Sequence, residues 1–446
     1  MLKGHTKIEL TDVNTGEKTV VEEENLVTNA VQYLLAFENK TNRNPSGEVF
    51  PIATNALGGL MIFDDTLVED PDNISFPGDA KLVGYADRSA NNTDTMRGSY
   101  NGAESSSLSN GFVSVWDFST SQANGTIKSL ALTSNYAGAN PIIRQVRSDF
   151  HISSSYVDYY YRQQIMAILG DSIFLRHRDS RKIVKGRLAP YSIKVAENYH
   201  GSTSLPVEEV KDLPSDFQTD YAHYINGTDG YIYYITKTDR STSTYNDYTS
   251  GNSSGNAIIN VTKIKYSDES FDIGETQTIT LENIYLSSLT STAVCISAGL
   301  LYWRAYSGRG IYIINMSNYT DVRYVEIGDE QNLSINRIIQ NYNGGVFFDF
   351  SYKSGNSTLY KSGILYASGD VIKCSVNGEL GVRQCRFVRD NKITWVCGEN
   401  HNDYYNIYTR LISAYLGTIN NLSSPVTKLP TQTMKITYTL TDINDS

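Results

Sequence analysis

Short tyrosine-rich segments contain the side chains best suited to bind a ligand. The chain of 446 residues has 33 Tyr against 14 Phe and 3 Trp. A tyrosine can stack its ring on the apolar face of a sugar and hydrogen-bond a sugar hydroxyl, with few rotatable bonds to freeze. The alternative for each is that alternate tyrosines of a strand pack within a sheet. We predict carbohydrate-contacting residues in three segments: Tyr245 and Tyr248; Tyr302, Trp303 and Tyr306; Tyr404 and Tyr405.

Residues for catalysis or metal binding do not form a motif in this sequence. The 6 His residues have neither HExxH nor zinc-ligand spacing, and no GxSxG or phosphate-loop motif stands in a suitable context. A glycosidase needs two carboxyl groups about 5 to 9.5 Å apart, a distance that a sequence does not reveal. We predict no catalytic residue, no metal site and no cofactor, and a glycosidase remains the enzymatic alternative.

Charge and the lack of long apolar runs argue against nucleic acid and membrane as partners. Lys and Arg number 38 against 48 Asp and Glu, so the net charge is −10. A phosphate backbone would repel an acidic chain without a basic stripe, so we do not expect nucleic acid as a partner. No run approaches the roughly 18 apolar residues of a membrane span, and residues 1–15 lack the apolar core of a signal peptide. We expect neither membrane insertion nor a signal peptide.

Five short aromatic strands, each preceded by a Gly, Asn or Asp turn, repeat along the chain after residue 149. Their turn residues lie 59, 69, 45 and 47 residues apart, at Asp171, Gly230, Gly299, Gly344 and Asn391. A period near 45 with three or four strands per repeat is typical of β-propeller blades. We predict a mainly β fold, with a β-propeller-like domain of five or six blades over residues 145–425. A row of β-sandwich or meander domains is the alternative.

One motif resembles the Asp-box turn of sialidase-like propellers, SxDxGxTW. It consists of Ser270, Asp272, Gly274 and Thr276, with Gln277 at the aromatic position. In that family the box is structural, because its Ser and Asp side chains bind backbone groups and its Gly adopts a positive φ. We predict a structural Asp-box-like turn between the strands at 258–266 and 276–281.

The amino-terminal 144 residues predict a β-rich domain with one helix. Residues 7–13 and 18–22 flank a turn at 14–17, which indicates a hairpin. A helix capped by Thr28 or Asn29 is expected to run to Asn39, because Val31, Leu34 and Leu35 share a helical face. Two alternating strands are expected at 111–119 and 125–134.

Three segments resemble structural tail proteins of phages, prophages and related contractile tail particles of Gram-positive gut bacteria. They are residues 6–36, residues 115–133 and residues 430–441. The resemblance covers roughly residues 1–140 and the last 20, and it implies a tail-tip, fibre or baseplate protein active in host attachment. It also implies other tail or baseplate proteins as partners, a homo-oligomer such as a trimer, location in the virion tail, and synthesis in the bacterial cytoplasm.

These expectations combine into one architecture. Residues 1–144 would anchor the chain to a tail or baseplate, and the propeller-like domain would bind a glycan or protein of the host surface without catalysis. The strand at 433–441, within a segment from 426 to 446, would return to pair with the strands at 111–134, or else would close the last blade. A purely structural tail component and a propeller glycosidase are the competing functions.

Overall fold

The structure is a computed structural model that describes most of the chain. The described residues are 2–31, 57–90, 94–135, 137, 151–158, 165–176, 183–188, 203–205, 207–209, 214, 217, 222–237, 256–267, 270–290, 292–373, 385–388, 394–400, 404–411 and 414–442. They form 31 strands, so the prediction of a mainly β protein is confirmed.

The strands have the following bounds in chain order. The first eight are β1 (Leu2–Asp12), β2 (Lys18–Val27), β3 (Gly59–Phe63), β4 (Leu82–Ala86), β5 (Ser99–Tyr100), β6 (Ser106–Leu108), β7 (Gly111–Phe118) and β8 (Gly125–Thr133). The next ten are β9 (His151–Asp158), β10 (Ile165–Leu169), β11 (Ser172–Arg176), β12 (Ile183–Arg187), β13 (Thr203–Ser204), β14 (Val207–Glu209), β15 (Ala222–Asn226), β16 (Ile232–Lys237), β17 (Ala257–Ser267) and β18 (Ser270–Leu281). The last thirteen are β19 (Val294–Ser297), β20 (Leu300–Arg304), β21 (Gly310–Asn315), β22 (Asn318–Glu326), β23 (Ser334–Gln340), β24 (Val346–Ser354), β25 (Ser357–Leu365), β26 (Val371–Lys373), β27 (Cys385–Val388), β28 (Thr394–Asn400), β29 (Tyr404–Leu411), β30 (Thr418–Lys428) and β31 (Gln432–Asp442).

The chain divides into two compact units. Unit 1 contains residues 1–149 and 412–446, and unit 2 contains residues 150–411. The second boundary differs from the predicted one at 425, because β30 pairs with β2 and β8 and therefore belongs to unit 1. Unit 2 is thus inserted between two segments that build a single sheet.

Unit 1 is organised around one ten-stranded sheet in which the last strand is central. Most of its strands follow the order β4-β3-β8-β30-β2-β1-β31-β7-β5, and β6 also pairs with β7. β31 is antiparallel to both β1 and β7, with Ile436 opposite Ile8 and Trp116. The predicted strands near 111–119 and 125–134 are present as β7 and β8, but they pair with other strands and not with each other. The carboxy-terminal strand β31 therefore returns to the strands at 111–134, as in the first of the two expected arrangements, and pairs with β7.

Alternation of side chains buries one face of β1 and of β31 in unit 1. Ile8 and Leu10 of β1 and Ile436 and Tyr438 of β31 are all buried, as expected for period-2 strands with one covered face. Gly111 permits the close approach of β31, since a Cβ there would lie 2.0 Å from the carbonyl oxygen of Leu440.

The predicted helix falls almost entirely outside the described residues. Only its first residues are described, and Ala30 and Val31 are buried.

Unit 2 contains four four-stranded antiparallel sheets in propeller-like succession, so the coarse prediction of a propeller-like region is confirmed. The first sheet is β10-β11-β12-β14, the second β15 to β18, the third β19 to β22 and the fourth β23 to β26. A further sheet, here called the fifth sheet, has the order β13-β9-β29-β28-β27. It combines the first strand of unit 2 with its last three, and β9 is antiparallel to β29.

Each sheet packs against its neighbours through both faces. In β16, Ile232 and Tyr234 pack with the first sheet, whereas Tyr233 and Ile235 pack with the third. The third sheet repeats the pattern toward the fourth, and Ile407 of the fifth sheet packs with the first. Apolar alternation on both faces explains why these strands read as nearly continuous hydrophobic runs.

The aligned repeats occupy one position in every sheet. The turns at 170–171, 227–231, 298–299 and 341–345 join the first and second strands of the first four sheets, and the repeat at Asn391 falls between β27 and β28. The first strands also lie side by side, since β10, β15, β19, β23 and β27 are neighbours in that order and β10 also neighbours β27. The turns between the first and second strands mark one end of unit 2, which we call the inner-hairpin end.

A buried lysine holds the loop before β8 in unit 1. Lys428 is 1% exposed, and its Nζ donates to the Oδ1 of Asn124 at 2.8 Å and to the carbonyl oxygen of Thr120 at 3.4 Å. Burial lowers the pKa of Lys428 from 10.5 to about 8. Between these two pH values the unfolded chain binds more protons than the folded chain, so stability rises with pH.

We expect this rise to disappear in Lys428→Met. From pH 8 to pH 9.5 the free energy of unfolding of the unsubstituted protein should increase by about 1 to 2 kcal/mol relative to the variant, because only the former carries the amine whose pKa is lowered in the folded state. Urea unfolding of both proteins at the two pH values measures the difference. Parallel pH profiles would show that Lys428 does not titrate in this range.

Candidate ligand-binding site

The end of unit 2 opposite the inner-hairpin end carries a group of exposed tyrosines. The chain enters and leaves unit 2 at the inner-hairpin end, since His151 pairs with Arg410 and Leu411 pairs with Thr394. The turn between β20 and β21, at 305–309, therefore lies at the opposite end, where the chain neither enters nor leaves unit 2. We call Tyr285, Tyr306 and Tyr324 at this turn the tyrosine patch.

Backbone contacts hold the turn in place. The amide of Tyr306 donates to the carbonyl of Tyr285 at 2.7 Å, and Gly308 takes a φ of 72° that closes the turn. The Gly308 carbonyl accepts from the amide of Ile335 at 2.7 Å, and the guanidinium of Arg304 donates to the Ile335 carbonyl at 2.9 Å. The turn is thereby fixed to β23 of the fourth sheet.

The patch presents ring surface to solvent on this rigid base. Tyr306, Tyr324 and Tyr285 are 51%, 45% and 36% exposed. The Tyr324 ring lies over Gly310, where a Cβ would come within 2.5 Å of it, and it tilts against Tyr312 at 5.1 Å. Partial burial, with smaller effects of nearby Glu326 and Tyr312, raises the pKa of Tyr324, so the phenol remains protonated.

Polar groups beside the rings complete the surface. Arg309 Nε lies 3.6 Å from a Glu326 carboxylate oxygen, and both side chains are more than one-third exposed. Exposed rings next to a guanidinium and a carboxylate can stack on a sugar ring while hydrogen-bonding its hydroxyls.

The structure distributes the predicted tyrosine residues unequally. Tyr306 lies in the patch, but Tyr302 and Trp303 are fully buried, the former accepting from the Gly345 amide at 3.0 Å and the latter donating to the Ser287 carbonyl at 3.1 Å. They are core residues, because alternate positions of β20 pack toward the second and fourth sheets. Tyr404 and Tyr405 begin β29, but the structure does not describe their side chains, and Tyr245 and Tyr248 lie outside the described residues.

Two residues of the tyrosine patch, Tyr285 and Tyr324, were not predicted from the sequence. Tyr324 lies in the outer strand β22, which contains Asp321, Arg323 and Glu326 and in which no residue is buried. That pattern is the signal of an exposed strand, on which a tyrosine also faces water. Tyr285 joins the patch only through the bridge between Leu286 and Ala305, which no local pattern predicts.

The Asp-box-like residues lie along a strand and not in a turn. The hairpin turn joins Ser267 to Ser270, whereas Asp272, Gly274 and Thr276 lie within β18, where Asp272 and Thr276 pair with β17. Gly274 has no positive φ; instead a Cβ there would lie 3.0 Å from the carbonyl oxygen of Lys263, at the irregularity between Thr262 and Ile264. The residues are therefore structural in a different way, with Gly274 accommodating a β-bulge.

A cleft of about 460 Å³ lies at the inner-hairpin end of unit 2. It is lined by Leu169, residues 226–230, Tyr266, Gln340 and Tyr342, and we call it the axial cleft. This volume falls within the range of small-molecule sites.

Buried amides form the rigid floor of the axial cleft. The Asn226 side chain accepts from the Ile168 amide at 3.2 Å and donates to the Ile168 carbonyl. Gln340 Nε2 donates to the Asn226 carbonyl at 3.0 Å and to the Ile296 carbonyl. First strands of four sheets are thus joined, and these amides satisfy the backbone groups that they reach.

One wall of the axial cleft carries an ion pair. Asp229 accepts from the Tyr233 hydroxyl at 2.8 Å and from Lys263 Nζ at 2.9 Å. Lys263 also lies 4.0 Å from the centre of the Tyr231 ring, a cation–π distance. The bulge at Lys263 therefore aims its side chain at the turn that lines the cleft.

Two further site types were sought in the described residues. No group of three or more His, Cys, Asp or Glu side chains is placed to hold a metal ion in that part of the chain. Within the same residues, no helix has the length and hydropathy of a membrane crossing.

Comparison with known proteins finds no family. No protein-family model and no curated protein matches the chain. Among solved structures, it is similar to a quinonprotein alcohol dehydrogenase-like protein of Bacteroides thetaiotaomicron (11% identity, TM-score 0.25, 81% of this chain and 80% of that one). It is also similar to a puromycin hydrolase (10%, 0.27, 84% and 56%) and to the polysaccharide lyase Uly1 (8%, 0.22, 80% and 99%). These TM-scores are too low for any of the three to supply an activity for this chain.

Substitutions at two neighbouring aromatic residues separate core from surface. Trp303→Ala should lower the free energy of unfolding by about 3 to 5 kcal/mol, because it empties a fully buried site. Tyr306→Ala should change it by less than about 0.5 kcal/mol, since the ring is half exposed. Urea unfolding of the full chain measures both, and a Trp303→Ala protein as stable as the parent would contradict this placement.

Proposed function

We propose that the chain is a structural tail protein, at the fibre, tip or baseplate of a phage or phage-tail-like particle, that attaches the particle to a bacterial surface without catalysis. In this proposal unit 1 anchors the chain to other tail or baseplate proteins. Unit 2 contacts host carbohydrate through the tyrosine patch.

The division of the chain supports the assignment of unit 1. The segments that resemble tail proteins, roughly residues 1–140 and the last 20, fall in unit 1 and contribute β1, β2, β7, β8 and β31 to one sheet. A single unit built from both segments is what an anchoring domain with an inserted recognition domain requires.

The observation that carries the attachment proposal is the position and exposure of the tyrosine patch. Three exposed tyrosines lie around one turn at the end of unit 2 opposite the inner-hairpin end. A rigid turn presents them, so little conformational entropy is lost on binding. Many copies on one particle would multiply a weak affinity. The homo-oligomer that the resemblance implies, such as a trimer, would have the same effect.

A non-enzymatic function is favoured by the charges of the axial cleft. Among the described residues that line it, Asp229 is the one carboxylate, and Lys263 already neutralises it. A glycosidase of the usual kind needs a second carboxyl group on the other side of the bond.

We further propose that unit 2 is a closed propeller of five blades, with the fifth sheet as the last blade. Two observations support this proposal: the neighbour relation of β10 and β27, and the completion of the fifth sheet by β9 from the start of unit 2. The helix expected at 28–39 belongs to the anchoring unit in the same proposal. Cryo-electron microscopy of the full chain should show five blades around one axis, whereas six blades or an open arc would contradict closure.

Binding to cells tests the attachment proposal. The labelled full chain should bind intact cells of a Gram-positive host saturably, and Tyr306→Ala with Tyr324→Ala should weaken binding at least tenfold, because two stacking rings are lost. Tyr360→Ala is the matched control, since Tyr360 is 40% exposed on β25 of the fourth sheet and is not one of the three tyrosines of the patch.

Other results would select the competing functions. Release of reducing sugar from the same cells would favour a glycosidase. A folded protein that binds no host cell would favour a purely structural tail component. Equal binding by the double variant and the control would place the host contact outside the tyrosine patch.

A further inference from the structure

We propose that the axial cleft is a second binding site, separate from the tyrosine patch, that takes one neutral sugar unit or a polyol of similar size. This inference does not depend on the tail function, because it rests on the geometry of unit 2 alone.

The shape and stiffness of the axial cleft suit a small rigid ligand. Its volume of about 460 Å³ lies at the lower end of the range for small-molecule sites. Asn226 and Gln340 at its floor are each 5% exposed and join strands of neighbouring sheets. The turn at 227–231 is held from its side, because Thr228 Oγ1 accepts from the Ala298 amide at 2.9 Å. A preorganised site of this kind loses little entropy on binding.

The charges of the axial cleft select a neutral ligand. Asp229 is the one charged residue among the described residues that line it, and its carboxylate accepts from Lys263 and Tyr233. An anionic ligand would meet that carboxylate, and a cationic ligand would have to displace Lys263. A carboxylate in a neutral pair can still accept hydrogen bonds from sugar hydroxyls through its remaining lone pairs.

An unsatisfied hydroxyl in the wall points to a ligand with hydroxyl groups. Tyr266 lines the axial cleft, and its hydroxyl oxygen is buried without a hydrogen-bond partner among the described residues. Its ring packs against Phe174 at 4.5 Å and Phe271 at 5.1 Å. Phenylalanine would fill the same space without the cost of an unpaired polar group. The hydroxyl oxygen is closed to water in this structure, so the proposal requires the ligand to shift the Tyr266 ring until a ligand hydroxyl, or a water that the ligand orders, reaches the phenol.

The proposal makes opposite predictions for stability and binding of one variant. Tyr266→Phe should raise the Tm by about 2 °C, because an unsatisfied buried hydroxyl is removed. It should weaken ligand binding at least fivefold, because the ligand loses a hydrogen-bond partner. Tyr360→Phe, which removes an exposed hydroxyl elsewhere in unit 2, should change neither quantity.

The experiment uses the full chain and defined probes. Saturation-transfer NMR is recorded with methyl glycosides of glucose, galactose, rhamnose and N-acetylglucosamine at millimolar concentration, together with glucuronate and glucosamine as charged probes. We expect at least one neutral glycoside to bind, to lose affinity in Tyr266→Phe, and to keep its affinity in Tyr306→Ala.

Three results would overturn the proposal. No neutral glycoside binds the unsubstituted protein; or the bound glycoside is unaffected by Tyr266→Phe and lost in Tyr306→Ala; or a charged probe binds tenfold more tightly than any neutral one. The second result would leave the tyrosine patch as the sugar site, so failure of this proposal and failure of the attachment proposal are distinguishable.

Discussion

The fold of unit 2 depends on the burial of both faces of its inner strands. A sheet such as β15 to β18 places Ile232 and Tyr234 on one face and Tyr233 and Ile235 on the other, and all four are buried. Such a sheet has no side suited to water, so it needs a neighbour on each face. A row of such sheets would expose an apolar face at each end. In unit 2 the fifth sheet packs against the first through Val396 and Ile407, so this face of the first sheet is covered.

The polar groups of unit 2 follow from the same packing. Where the first strands meet, backbone groups at their ends lie too deep for water and must find partners. Asn226 and Gln340 supply them from neighbouring sheets, and the floor of the axial cleft results. The bulge at Lys263 requires a residue without a side chain at position 274, which Gly274 provides, and the bulge directs the lysine to Asp229. Two positions in adjacent strands thereby set the charge of one wall.

The sequence predicted local features well and long-range ones poorly. The repeated turns at 170–171 to 344–345 mark the same hairpin in successive sheets, because a turn needs only neighbouring residues to form. Trp303 was misassigned because a strand buried on both faces resembles an aromatic binding loop in composition. Gly274 was expected in a turn, but a bulge and a turn both select glycine. The pairing of β31 with β7 was predicted from the resemblance of both segments to tail proteins and not from a local pattern. The pairing of β30 with β2 and β8, hundreds of residues away in the sequence, was not predicted, because no short pattern encodes it.

The central place of β31 in unit 1 has a consequence for biosynthesis. Ribosomes release a chain from its amino terminus, so β1, β7 and β8 emerge long before β30 and β31, which lie between them in the sheet. Unit 2 is complete in sequence at residue 411 and can close while β1 still lacks one neighbour. Unit 1 reaches its final pairing only after translation has passed residue 442. A ribosome that stalls before then leaves the edges of β1 and β7 open to pairing with other nascent chains, so complete synthesis is a checkpoint for solubility.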